Sequence, residues 1–242
     1  MTRWKASEIH FSISLMIGIF AFCVLYFVYY PQPYFKPAGA SKLVMILLGV
    51  DIVLGPLLTL AVFKAGKRGM RFDLAVIGAV QAAALIYGLS IMWRARPIFI
   101  VAVIDRVELI YAGDIDQVDF NASTDPDFSS PPSFGPKLVF TRRASPGDEQ
   151  LELMDAATHG KDVQHYPKFF VQPSEQRLSD LLHSAKRFED LPPATQSKLA
   201  STVQNYPTRQ YLPMQGRSDA YVIVVDPETK KFAQSVLGAG WY

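Results

Sequence analysis

The sequence predicts a three-helix transmembrane bundle followed by a small α+β extracytoplasmic domain with an antiparallel sheet. Three observations carry this prediction. Three long apolar runs fill the first hundred of the 242 residues. Lys and Arg are shared unevenly among the segments that flank those runs. Beyond Trp93, charges, prolines and turn residues return at the frequency of a water-soluble protein, among short β-branched runs and amphipathic stretches.

The first run, Phe11 to Tyr30, has twenty residues and no charge. At about 1.5 Å per residue a helix of this length crosses a hydrocarbon layer of about 30 Å. Tyr26, Tyr29, Tyr30 and Tyr34 gather at its end, where aromatic rings suit the headgroup region. Pro31 and Pro33 then stop the helix, since neither can donate a main-chain hydrogen bond. The run exceeds the apolar core of a cleavable signal peptide, and Ala38-Gly39-Ala40 lies well past its end. The segment is therefore expected to remain as a span. The second run, Lys42 to Phe63, is interrupted only by Asp51, and the third, Leu74 to Trp93, contains Gln81 but no formal charge. Inside lipid the main chain must satisfy its own hydrogen bonds, so residues 11–30, 42–63 and 74–93 are read as helices.

Orientation follows from the basic residues in the flanks. Arg3 and Lys5 precede the first span, and Lys64, Lys67, Arg68 and Arg71 crowd the loop between the second and third. Only Lys36 and Lys42 flank the loop between the first and second. This bias places the N-terminus in the cytoplasm and residues 97–242 in the periplasm of a Gram-negative cell, the chain being a multi-pass inner-membrane protein. Arg94 and Arg96 run against the bias and are read as snorkelling side chains at the membrane boundary.

An ionisable group near mid-membrane is costly unless it is neutral, paired or hydrated, which makes Asp51 the most informative single residue. Counting along antiparallel helices puts Asp51 and Gln81 at depths about 5 Å apart. The two are expected to approach each other between the second and third spans. Asp51, Gly55 and Thr59 share one helix face, and Gly78, Gln81, Leu85 and Gly88 form a comparable stripe on the third span. Small residues let helices come close and polar ones bond across the contact. Pro56 is expected to kink the second span and free a carbonyl near Ile52. Asp51, Gly55, Pro56, Thr59, Gly78, Gln81 and Gly88 are therefore the candidate residues for intramembrane helix contact or partner binding. Internal glue for the bundle and a grip on a partner's transmembrane helix both fit them. Transport fits poorly, for want of more helices or internal repeats.

In residues 97–242, Ile98 to Ile104 reads as a buried strand, Val107 to Tyr111 as a second and Leu138 to Arg142 as a third. Residues 116–137 carry Pro126, Pro131, Pro132 and Pro136 among Ser, Asp and Asn, and read as a flexible polar loop. Glu175 to Phe188 is an amphipathic helix capped by Ser174, with Leu178, Leu181, Leu182 and Ala185 on one face. Ala194 to Val203 is another. Tyr211 to Met214 and a hairpin of Ala220–Val225 with Lys231–Val236, turned at Asp226-Pro227-Glu228-Thr229, complete an antiparallel sheet with helices on one face. Asp105-Arg106 reads as an ion pair at a strand end, Asp148-Glu149 as a solvated turn, and Trp241 and Tyr242 as aromatics that dock on the domain or on a partner.

The single cysteine, Cys23, excludes an intrachain disulfide and a C-x-x-C motif. The net charge of +2, with no basic stretch interleaved with aromatics, gives no basis for nucleic-acid binding. Ser174, Ser179 and Ser184 lack a nucleophile elbow, and His159 and His165 lack metal-ligand spacing. No catalytic residue, metal or cofactor is assigned, and the chain is not expected to be an enzyme.

Four segments carry a family resemblance. They are Arg3-Trp4-Lys5-Ala6 with Ile9-His10; Tyr30-Pro31-x-Pro33-Tyr34-Phe35 with Ala38-Gly39; Gly49 to Leu60 (GVDIVLGPLLTL) with Val62-Phe63-Lys64; and Asp73-Leu74-Ala75 through Gln81 to Tyr87-Gly88, then Arg96-Pro97. The chain resembles the inner-membrane type IV pilin accessory proteins, the TfpX/TfpZ or FimB-like family, closely over roughly residues 1–110 and more loosely beyond. The resemblance implies an accessory or chaperone-like role beside the major type IV pilin, with other pilus assembly proteins as further partners and the lipid bilayer as its setting. It brings no catalytic residues. A membrane-anchored periplasmic ligand sensor that signals through a partner protein is the alternative from a different class.

Overall fold

The structure, a computed structural model, describes residues 2–103, 106–205 and 209–238, and for residues 201–205 the main chain alone. The readings made at Ile104, Asp105, Trp241 and Tyr242 lie outside the described residues. The chain divides into two compact units, Met1–Val28 with Ala40–Arg94, and Tyr29–Gly39 with Ala95–Tyr242. The second unit therefore includes the connection between the first two helices, which a division at residue 97 had assigned to the membrane part.

The first unit is built of three helices long and apolar enough to cross a membrane. Helix α1 spans Arg3–Val24 and continues as a π-helical turn over Leu25–Tyr29. Thr2 caps it, its hydroxyl oxygen accepting the Lys5 N–H at 3.3 Å. Helix α2 spans Ala40–Val62 and runs on through Pro56. Helix α3 spans Met70–Arg94, beginning about a turn earlier than the apolar run because Asp73 suits the first turn of a helix, where it also meets Lys67.

The second unit is organised by a seven-stranded sheet. Its strands are β1 (Pro97–Val103), β2 (Arg106–Tyr111), β3 (Lys137–Thr141), β4 (Phe170–Val171), β5 (Gln210–Gln215), β6 (Ala220–Val225) and β7 (Phe232–Leu237). Their order across the sheet is β4-β3-β1-β2-β5-β6-β7. The expected antiparallel pairings are present in β1/β2, β5/β6 and β6/β7. The sheet as a whole is mixed, because β1/β3 and β2/β5 pair in parallel. Each parallel pair is separated in sequence by a connection long enough to carry the chain back to its starting end.

Every residue of β1 is buried, as befits a central strand covered on both faces. Ile98, Phe99, Val101, Ile110 and Val139 form one core with Phe120, Phe128 and Phe170. This core corrects the reading of 116–137 as a loop without fixed structure. The stretch contains helix α4 (Gln117–Asn121) and a 3₁₀ turn at Pro126–Phe128, each of which inserts a phenylalanine among the strands. Asp148-Glu149 is also corrected. Rather than a solvated turn, the two residues open helix α5 (Asp148–Thr158), where acidic groups face the positive end of the helix dipole. Helix α6 (Glu175–His183) starts at Ser174, whose Oγ accepts the Arg177 N–H at 3.3 Å. It ends before Phe188, since Lys186 leaves to bridge Tyr211. Helix α7 (Pro193–Asn205) places Leu199 on Leu191, Tyr211, Val222 and Val224 in a second core.

The other face of β6 is covered by residues 29–39. Side chains alternate along a strand, so Tyr221, Ile223 and Val225 point away from α7. On that side the Tyr221 hydroxyl donates to the Lys36 carbonyl at 3.4 Å and the Ser235 hydroxyl to the Pro33 carbonyl at 2.5 Å. The Arg217 N–H donates to the Pro37 carbonyl, as does the Tyr111 hydroxyl at 3.4 Å. The Arg217 guanidinium lies 4.1 Å from the centre of the Tyr111 ring and donates to the Ala95 carbonyl. Tyr30, Tyr34, Phe35 and Ala38 are all buried. Burial pushes the Tyr34 and Tyr111 phenols well above their ordinary range, which keeps them neutral.

Candidate helix-contact site in the membrane unit

Helix α2 carries polar contacts on two sides. Toward α3, the Gln81 Nε2 donates to the Asp51 main-chain carbonyl at 3.2 Å. The two residues thus meet through the Asp51 main chain rather than its carboxyl. Gly55 makes room for this contact, because a Cβ at that position would overlap the Gln81 carboxamide. Higher on the same pair, a Cβ on Gly88 would overlap the Leu47 side chain. Gly78 has open space around it and takes no part in the contact.

Toward α1, Pro56 and Thr59 find their partners. The Ser7 hydroxyl donates to the Pro56 carbonyl at 2.9 Å, and His10 Nδ1 shares a hydrogen bond with Thr59 Oγ1 at 2.6 Å. Above them Gly18 lies against Ile52 and Leu48. The sequence reading missed this half of the interface. Its signal was present: Ser7, His10, Ser14, Gly18 and Ala21 recur at three- and four-residue steps, so small and polar groups line one face of α1.

The Asp51 carboxyl is the unresolved element of the bundle. The residue is 8% exposed, and its Oδ1 is buried without a hydrogen-bond partner, as is the Gln81 Oε1. It lines a groove of about 260 Å³ between α2 and α3, whose other walls include Leu47, Val50, Leu85, Gly88 and Ile91. Apart from the Asp51 carboxyl and the Tyr87 phenol, the side chains that line the groove are apolar. Helix α3 buries only Ile77 and Met92, leaving most of its surface for lipid or another helix.

In the second unit the polar clusters have structural partners. Arg142 holds Glu149 through two 2.8 Å hydrogen bonds and lies 4.7 Å from the centre of the Phe169 ring. This guanidinium, with the Ser145 N–H, lowers the Glu149 carboxyl to about 2. His159 closes α5, its Nδ1 near the Asp155 carbonyl, and His165 Nδ1 accepts the Asp162 N–H at 3.2 Å in a capping box. Among the described residues no three His, Cys, Asp or Glu side chains are grouped to hold a metal ion.

These features define an α+β protein with three long apolar helices, and with the Asp51 Oδ1 buried and unpartnered among them. The profile of the Fimbrial assembly protein FimB family matches residues 1–39, which comprise α1 and the segment packed on the sheet. Three relatives from Dichelobacter nodosus extend the match. The fimbrial assembly protein of serogroup E1 is 30% identical over 238 residues, covering 92% of this chain and 90% of the relative. That of serogroup I is 33% identical over 184 residues, 75% of this chain and 71% of the relative. That of serogroups C1 and C2 is 36% identical over 113 residues, 46% and 86% of the two chains. The chain belongs to the FimB family of fimbrial assembly proteins. No solved structure matches it.

Proposed function

We propose that this protein serves fimbrial assembly as an inner-membrane accessory or chaperone-like protein that binds type IV pilin, receiving the pilin's membrane helix at the groove between α2 and α3. One observation carries the reading: a buried carboxyl oxygen, Asp51 Oδ1, without a partner among the described residues, set in a largely apolar groove between α2 and α3. A polar group in lipid is stabilised by a donor on a neighbouring helix, and the described residues supply none to Asp51 Oδ1. The relatives' naming as fimbrial assembly proteins supports a pilus component as the visiting helix. The charge bias of the flanks supports a periplasmic α+β unit, on the side of the pilin's globular head. Gly55, Gln81 and Gly88 shape the α2–α3 pair that presents Asp51, while Pro56 and Thr59 tie α2 to α1.

Photo-crosslinkers at Val50 and Leu85 in living cells should capture pilin, and Asp51→Leu should reduce both capture and piliation. Capture of lipid alone at both positions, with normal piliation in the Asp51→Leu strain, would refute the reading.

One observation favours the sensor alternative. A cleft of about 850 Å³ opens at the carboxyl ends of the parallel strands β1 and β3, lined by Phe140, Arg143, Arg177 and Leu181 among others. Crevices in this position on a sheet commonly receive ligands. A ligand-dependent rise in melting temperature of the whole protein, abolished by Arg143→Ala/Arg177→Ala, would favour that reading over pilin binding.

A further inference from the structure

The start of α1 and the end of α2 lie side by side, and an open pocket of about 560 Å³ separates them. Arg3 lines it from α1, while Val62, Phe63, Lys64 and Lys67 line it from the end of α2 and the loop that follows. Lys67 is already engaged by Asp73 at 2.5 Å. Arg3 and Lys64 form no ion pair among the described residues, and no carboxylate is among the residues that line the pocket.

The position determines what the pocket meets. These are the ends of two apolar spans, so the pocket lies at the level of the lipid headgroups. Phosphate esters surround it there at high local concentration. A guanidinium offers two parallel donors to phosphate oxygens, and an ammonium adds a point charge. Val62 and Phe63 offer apolar contact for the glycerol and the first acyl carbons. The lining has no acidic group to receive the ammonium of a zwitterionic headgroup. Basic concavities between membrane helices have this chemistry where they hold acidic lipids. General attraction of scattered basic residues to a leaflet would not distinguish Arg3 and Lys64 from Lys5, Arg68 and Arg71. Convergence of cations from α1 and from the segment that follows α2 on one concavity does.

We propose that this pocket binds the phosphate-bearing headgroup of an anionic glycerophospholipid from the surrounding leaflet, with Arg3 and Lys64 as its principal contacts. The lipid joins the ends of α1 and α2 and is a structural ligand of the bundle.

The test is native mass spectrometry of the full-length protein in mild detergent, titrated with phosphatidylglycerol or phosphatidylethanolamine. One phosphatidylglycerol is retained in preference to phosphatidylethanolamine, and the preference falls as salt rises. Arg3→Gln/Lys64→Gln weakens retention on the order of 10- to 30-fold, the effect of two interfacial charges. Arg68→Gln/Arg71→Gln removes the same charge outside the pocket and leaves retention unchanged. Equal retention of the two lipids by the wild-type chain overturns the proposal, as does equal weakening in the two double variants. Displacement of the lipid by millimolar inorganic phosphate overturns the assignment to a lipid and leaves a free-phosphate site. The wild-type comparison decides the matter even where the Arg3/Lys64 variant fails to insert.

Discussion

At Gly55 the absence of one carbon determines whether two helices can share a hydrogen bond. Gly55→Ala displaces the Gln81 carboxamide and removes its bond to the Asp51 carbonyl. The expected loss is that of one interhelical hydrogen bond in lipid, about 0.6 and at most about 1.7 kcal/mol. Gln81→Ala should cost about as much, and the double variant should cost little more than either single one, because both remove the same contact. Unfolding of the purified protein in mixed micelles measures all three. Glu149 offers a second residue-scale test, in acid. Arg142 and the Ser145 N–H bind the charged form and hold its carboxyl below the ordinary range, down to about 2. Its contribution to stability is therefore complete above the ordinary carboxylate range and is lost as pH falls toward 2. Glu149→Gln should flatten the acid limb of the melting temperature between pH 4.5 and 2, leaving the slope unchanged near neutrality.

Elements differ in how openly the sequence declares them. The three spans are legible from run length alone, and the contact between Asp51 and Gln81 from counting residues along two opposed helices. Strands β1, β2 and β6 announce themselves by β-branched residues. The parallel pairings β1/β3 and β2/β5 are not legible, because the neighbours are chosen by packing between distant segments and leave no local mark. Helix α5 hides because its apolar residues Leu151 and Met154 are exposed rather than buried, so no amphipathic stripe points to a core. The proline-rich stretch 116–137 misleads in the opposite sense. Its turn residues suggest freedom, yet Phe128 is 1% exposed and meets Phe99 and Phe170 edge-on, with ring centres 6.3 and 5.8 Å away. Phe128→Ala should therefore destabilise the α+β unit by about 3–5 kcal/mol, as for a large core truncation. A loop residue of similar composition on the surface, such as Phe134 at 76% exposure, should be replaceable by Ala with less than about 0.5 kcal/mol of loss. Thermal melts of the two variants make the comparison.

For the whole molecule, the division of labour does not follow the order of the chain. The connection between α1 and α2 lies on the sheet, so a fragment that begins at residue 95 lacks part of its own cover. The run Tyr221–Val225 held the clue, since five successive apolar residues without alternation indicate a strand covered on both sides. Tyr and Pro in residues 29–39 suit a membrane boundary equally well, which is why composition alone misplaced the segment. A soluble 95–242 fragment should expose Ile223 and Val225, melt at lower temperature than the intact protein and aggregate. Fusing residues 29–39 to it through a flexible linker should recover much of the difference, readable by circular dichroism and light scattering.

The segment at 29–39 also makes one peptide bond dispensable. If a single engineered protease site between Arg94 and Ala95 were cut after folding, the released C-terminal half would still hold Pro33, Lys36 and Pro37 through Ser235, Tyr221, Tyr111 and Arg217. The nicked protein should sediment with membranes as two associated pieces and separate only when urea dissolves that grip. A lesion that would shed an ordinary single-tether ectodomain would here leave a scar without loss of cargo.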